Sequence, residues 1–201
     1  MPGRRLASLL SALLAGWALL VMGPPLARAA GANFPERVSL GQHEVILNGA
    51  GVRYRAIFQV YAAAFYSSDR KTKESEVYSR EPRRMAMVML REVTSDELGR
   101  AFINGVYQNT DRAEVARMVG PIARFGAMFG TVAKLRTGDT LTVDWIPGAG
   151  TVVQLNGKSF GEPVPDPAFY NALLRIWFGE RPADPLLKKA LLGERAGQES
   201  Y

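Results

Sequence analysis

Cysteine is absent from the 201-residue sequence, and histidine occurs once, as His43. Without thiols there is neither a disulfide nor a thiol nucleophile, so packing alone must hold the fold. One imidazole with no cysteine beside it leaves a zinc site almost nothing to build from, and no Ser-His-Asp arrangement is credible. Paired carboxylates are missing too. Asp139 and Asp144 are separated by an odd number of positions on an alternating segment, so they point to opposite faces of a strand. Gly49-Ala50-Gly51 is no phosphate loop, because neither a Lys-Ser/Thr pair nor a helix start follows it. No metal and no cofactor are expected.

A large excess of charge is also lacking once the N-terminus is set apart. The formal net charge is +6, but residues 1–29 hold Arg4, Arg5 and Arg28 and no acid. The remainder carries 22 basic and 19 acidic residues, a net +3, which argues against a nucleic-acid partner. Residues 1–29 read as a cleavable secretion signal. Arg4 and Arg5 form the positive start, and Leu6 to Met22 is apolar except for Ser8, Ser11 and Gly16. Pro24 and Pro25 then stop any helix, and Ala27-Arg28-Ala29 offers small residues at the two subsites a signal peptidase reads. Cleavage is expected before Ala30 or one residue later. The competing reading is an uncleaved anchor, for which the run is a little short against the ~20 residues of a bilayer span. Arg4-Arg5 without its wider motif does not choose between general and twin-arginine export. Residues 30–201 are expected to form one periplasmic or secreted domain.

What is present is patterned in blocks. Ala30 to Pro35 reads as a flexible leader. Val38 to Asn48 reads as a strand ending in the turn signal Asn48-Gly49-Ala50-Gly51. Val52 to Tyr66 is rich in aromatic and β-branched residues until Ala62-Ala63-Ala64. Ser67 to Pro82 is polar, a loop or short exposed helix. Arg84 to Val93 reads as a strand with Met85, Met87 and Met89 on one face and apolar residues on the other, the pattern of a strand covered on both sides. Thr94-Ser95-Asp96-Glu97 has capping-box spacing ahead of Leu98, Phe102 and Val106. A second helix starts at Thr110-Asp111 and carries an apolar stripe to Phe129, with a kink expected at Gly120-Pro121. Asp139–Ile146 and Thr151–Leu155 read as strands, and Asn156-Gly157 as a hairpin turn. Helices are expected over Pro167–Phe178 and Asp184–Leu192, the last closed by Gly193. The order implies an α+β fold, an antiparallel sheet with helices on one face.

Five stretches carry a resemblance: Gly49-Ala-Gly-Val-Arg53, Phe58 to Tyr66, Leu90 to Glu97, Gly150 to Lys158, and Ile176-Trp-Phe-Gly179 followed by Leu187-Lys188 and Leu191-Leu-Gly193. In this order they resemble the chalcone isomerase family, most closely its bacterial, exported, chalcone-isomerase-like branch. The resemblance implies an antiparallel sheet layered with helices. It also implies one of two activities. Plant members close a flavanone ring by adding a phenolate oxygen within the substrate, while other members bind fatty acids and catalyse nothing. Arg53 matches the family arginine that steadies an oxyanion in the enzymes and a carboxylate in the lipid binders. Tyr61 stands where the plant enzymes have a threonine.

The departures favour binding over catalysis. Met89 and Leu98 occupy the places of a catalytic lysine and tyrosine, and Gly105, beside Asn104, that of an asparagine. A family hydroxyl falls on or beside Ile176-Trp177. Ring closure needs polar groups to orient the phenolate and protonate the enolate carbon, which methionine and leucine cannot supply. The expectation is therefore a non-catalytic exported protein that binds a small amphipathic acid resembling a fatty acid. Its head would lie at Arg53 and Tyr61, and its tail among Met87, Met89, Leu98 and Phe102. A guanidinium suits that head because its planar fork grips a carboxylate and stays charged. The methionine stripe and Trp177 also read as plain core, and His43 as solvated. The alternatives are an intramolecular lyase or isomerase with a reduced active site, and an accessory protein that binds a protein partner.

Overall fold

A computed structural model describes residues 26–194. The positive start and apolar run expected of the secretion signal lie outside the described residues. The strands are β1 (Leu26–Ala29), β2 (Ala32–Pro35), β3 (Arg37–Leu40), β4 (His43–Arg55), β5 (Phe58–Ser67), β6 (Arg83–Met89), β7 (Val93–Thr94), β8 (Lys134–Leu135), β9 (Thr140–Ile146), β10 (Gly150–Leu155) and β11 (Lys158–Ser159). The helices are α1 (Glu74–Val77), α2 (Ser95–Asn109), α3 (Arg112–Arg117), α4 (Val119–Phe129), α5 (Pro167–Phe178) and α6 (Pro185–Leu191).

Strand β6 is the middle of a seven-stranded antiparallel sheet ordered β11-β10-β9-β6-β5-β4-β3. Its period-two pattern puts Met85, Met87 and Met89 on one face, buried under residues of α2, α4 and α5. Ala86 and Val88 point the other way and pack with Tyr66, Val45 and Phe34. The helices thus occupy one face, as the block order implies. The opposite face is closed in part by the β1–β2 hairpin, whose Phe34 is buried against it. Ala32–Pro35 is therefore a strand and not a flexible leader, because Phe34 has an apolar surface to cover.

The capping signals act where the sequence puts them. Thr94 Oγ1 accepts from Glu97 N at 3.2 Å, and Asp111, Asp166 and Asp184 cap α3, α5 and α6. Asn156 and Gly157 both take positive φ and turn β10 into β11. The helical break after Asp111 falls at Met118, not at Gly120-Pro121. Pro121 sits in the first turn of α4, where its missing N–H has no partner to lose. Ser67 to Pro82 contains α1 and is pinned from below by buried Arg83. The Arg83 guanidinium donates to the carbonyls of Val77, Ser79 and Glu81 at 2.7, 2.6 and 3.1 Å.

The glycines read as a turn lie inside a strand. β4 runs on through Asn48–Gly51 with a register shift between Leu47 and Gly49. A β-carbon on Gly49 would strike the carbonyl oxygen of Ala190 and stand 2.8 Å from that of Leu191. One on Gly51 would stand 2.7 Å from Ala190 Cβ. These positions let α6 lie directly on the sheet. Asn48 locks the arrangement by donating to the Leu191 carbonyl at 2.7 Å. Gly49→Ala must push α6 away and is expected to lower stability by about 1–3 kcal/mol. Thermal unfolding checks this, and an unchanged midpoint would mean that α6 docks more loosely than described.

Candidate functional site

Arg53, Tyr61 and Met89 form one row across β4, β5 and β6 on the helix-bearing face. Tyr61 is fully buried, and its hydroxyl accepts from Trp177 Nε1 at 2.9 Å. The Arg53 guanidinium lies 5.4 Å from the centre of the Tyr61 ring. Burial pushes the Tyr61 phenol above its ordinary pKa, only partly offset by Arg53 and the Trp177 bond. The phenol therefore stays neutral and keeps its proton. With Trp177 donating to its oxygen, that proton is free for an incoming acceptor.

Arg53 is less well satisfied. Its Nε is buried without a hydrogen-bond partner, and among the described residues no carboxylate pairs with it. Beside it opens a cleft of about 490 Å³ between β4, α2 and the loop ahead of α6. Arg53, Tyr61, Phe102, Gly105 and Ile176 line it, and Arg55, Arg100, Asn104 and Arg181 also border it. Glu97 is the only acid in its wall, 3.4 Å from Arg55. Asn109 builds one edge. Its Nδ2 donates to the Gly105 and Arg181 carbonyls, each at 2.9 Å, and its Oδ1 accepts from Arg181 N at 2.8 Å. The loop carrying Arg181 is thereby fixed to α2.

The expected site residues divide. Arg53, Tyr61 and Phe102 meet at the cleft. Met87 and Met89 do not line it; they are buried core residues, a correction to the expected tail site. Both sit under α2 and α5, where Phe102 and Trp177 already fill the space. Leu98 is buried as well and borders only a side cavity of about 30 Å³ shared with Arg53, Arg55 and Arg91. Gly105 approaches α5 so closely that a β-carbon would stand 3.0 Å from Ile176 Cγ1, leaving no room for an asparagine. Trp177, read as plain core, is also the partner of Tyr61; a buried indole N–H must find an acceptor, and that was the available signal. Arg55, Arg100 and Arg181 gave no signal, because spatial convergence of distant arginines is not a pattern along the chain.

A family model described as chalcone isomerase-like matches residues 27–193. The chain belongs to the chalcone isomerase-like family. No curated protein matches the sequence. Among solved structures, the crystal structure of a fatty-acid binding protein of Arabidopsis thaliana is similar, at 17% identity and a TM-score of 0.60. The match covers 81% of this chain and 92% of that one. The curved antiparallel sheet with its helices is thus the fold of the chalcone isomerase-like family. Arg53 and Tyr61, which lie in two of the five stretches that carried the sequence resemblance, pair across adjacent strands and line one cleft.

Proposed function

We propose that the protein binds a small amphipathic acid resembling a fatty acid and performs no chemistry on it. The observation that carries this is the buried, unpartnered Nε of Arg53 beside a neutral Tyr61 hydroxyl with a proton to give. Together they offer a carboxylate a cation and a neutral donor at the apolar end of an otherwise basic cleft. Phe102 and Ile176 supply the nearest apolar wall. The similar plant structure is titled a fatty-acid binding protein, which supports the same reading. Native mass spectrometry of protein purified from its own host tests it. A co-purifying fatty acid is the expected result, and a stoichiometric protein partner would favour the accessory role instead.

The isomerase reading keeps only Arg53 and Tyr61. Met89 and Leu98 are buried and apolar, and neither can move a proton. General acid–base groups contribute roughly 10²–10⁴-fold each. Chalcone cyclisation, followed by loss of chalcone absorbance, is therefore expected at background, and a turnover like a plant enzyme's would restore the catalytic reading.

We further propose that the protein is exported, as expected of a member of the bacterial branch, and works in the periplasm or outside the cell. The support is the ordered signal in residues 1–29. Cleavage before Ala30 would remove β1 and leave β2 to cover the sheet through Phe34. N-terminal sequencing of the exported form is expected to start at Ala30 or Gly31. A start upstream of Leu26 would keep β1 in the mature fold, and a retained Met1 in membranes would mean an anchor.

A further inference from the structure

Six large apolar side chains are exposed among the described residues, and four of them belong to the β4–β5 hairpin and the adjoining start of α6. Tyr54, Ile57 and Phe58, exposed to 44%, 84% and 58%, belong to the hairpin joining β4 and β5. Leu186, exposed to 73%, is the fourth. Asp184 links the two groups: it accepts from Tyr54 N at 2.9 Å and from Leu186 N at 2.8 Å. Scattered apolar residues on a surface need no explanation, but a cluster does.

The hairpin itself breaks the local rules. Tight turns draw on glycine, asparagine and aspartate, which tolerate left-handed backbone and water. Here Ala56 takes φ 53 with a β-carbon in place, and isoleucine and phenylalanine follow it into solvent. Both remain mostly exposed. Such violations gather at sites of function.

The surroundings select one kind of partner. Arg53, Arg55 and Arg91 lie at the base of the hairpin, and Arg100 and Arg181 on the adjoining cleft. Asp96 and Glu97 pair with Arg100 and Arg55, while the Asp184 carboxylate is taken up by backbone N–H groups of Tyr54 and Leu186. A second copy would set this collar of arginines against itself. Four exposed side chains also fall short of the ~20–30 residues a side of a standard protein interface. An anionic bilayer meets both features, because apolar side chains enter the headgroup boundary while arginines hold the phosphates. We propose that the β4–β5 hairpin is a membrane-docking element that seats Ile57 and Phe58 in an anionic lipid surface, with Leu186 beside them. Arg53 and Arg55 belong to both the hairpin and the cleft, so docking holds the mouth of the cleft against the bilayer.

The absence of cysteine makes the test clean. Ile57→Cys in the whole protein, labelled with a nitrobenzoxadiazole dye, reports the polarity at the tip. Val119→Cys, exposed at the start of α4, is the control. With phosphatidylcholine vesicles containing phosphatidylglycerol, the dye at 57 is expected to shift to the blue and brighten, and the dye at 119 to stay unchanged. High salt should reverse the shift. Adding Phe58→Ser to the labelled protein should weaken the apparent vesicle affinity about tenfold, the scale of one lost apolar side chain. Both positions are exposed, so neither change threatens folding. No shift at 57, an equal shift at both positions, or a shift that grows with protein concentration in the absence of vesicles would overturn the proposal. The last of these would mean self-association. The measurement uses no fatty acid, so its failure would leave binding at Arg53 standing, and the reverse holds as well.

Discussion

Asp144→Ala is expected to lower the free energy of unfolding by about 3 kcal/mol. Asp144 lies on the face away from the helices, in a row that runs from Tyr66 on β5 through Arg84 on β6. Arg84 Nε and Nη2 donate to the two carboxylate oxygens at 2.7 and 2.6 Å, a bidentate pair. Burial pushes the Asp144 carboxyl above its usual range, more than the Arg84 bonds pull it back. Assembling the pair therefore contributes little net stability, whereas removing one member leaves a charge stranded. Stranding a buried charge costs about 3–5 kcal/mol, and the 18% of the Arg84 side chain that meets water puts this case at the lower end. The double replacement Arg84→Met, Asp144→Leu should recover most of the loss, because a well-packed apolar pair avoids the desolvation altogether. Urea unfolding of the three variants measures this. Equal losses in the single and double variants would mean that shape, not charge, is what Asp144 provides.

The sheet shows what the sequence discloses and what it conceals. Period-two alternation around Met85, Met87 and Met89 was enough to place β6 at the centre, because burial on both faces leaves a continuous apolar run, and the block order put the helices on one side. Capping residues placed the helix starts because their effect is local. Gly49 and Gly51 were misread because glycine signals both a turn and a close approach, and only the position of α6, some 140 residues later, tells them apart. The β4–β5 turn left no trace, since Ala56-Ile57 lacks every residue that usually marks one. Of the candidate site, Arg53 and Tyr61 were legible, and they pair across adjacent strands. The apolar end was not. A methionine on the correct face of a strand is still core when a helix already covers it, and periodicity says nothing about what lies above.

Arg53→Ala is expected to weaken fatty-acid binding by about 1.5–3 kcal/mol, the value of a hydrogen bond to a charged group. That corresponds to roughly 10- to 150-fold in affinity, read by calorimetric titration with palmitate. The structure also constrains the empty protein. Arg53 Nε is buried without a hydrogen-bond partner, and its guanidinium lies over the Tyr61 ring. The ring contact is worth about 0.5–1 kcal/mol, and relief of the unsatisfied N–H offsets it. The melting temperature without ligand should therefore hardly move. Arg53→Lys should restore only part of the affinity, since a point charge does not reproduce the planar fork. Tyr61→Phe removes the neutral donor and leaves Trp177 Nε1 without an acceptor. It should lose both affinity and about 1–3 kcal/mol of stability from the orphaned indole N–H. The two residues thus separate by experiment: one moves binding alone, the other binding and folding together. If Arg53→Ala leaves palmitate affinity intact but lowers the melting temperature of the empty protein by several degrees, Arg53 serves the fold, and the proposed head-group site is lost with it.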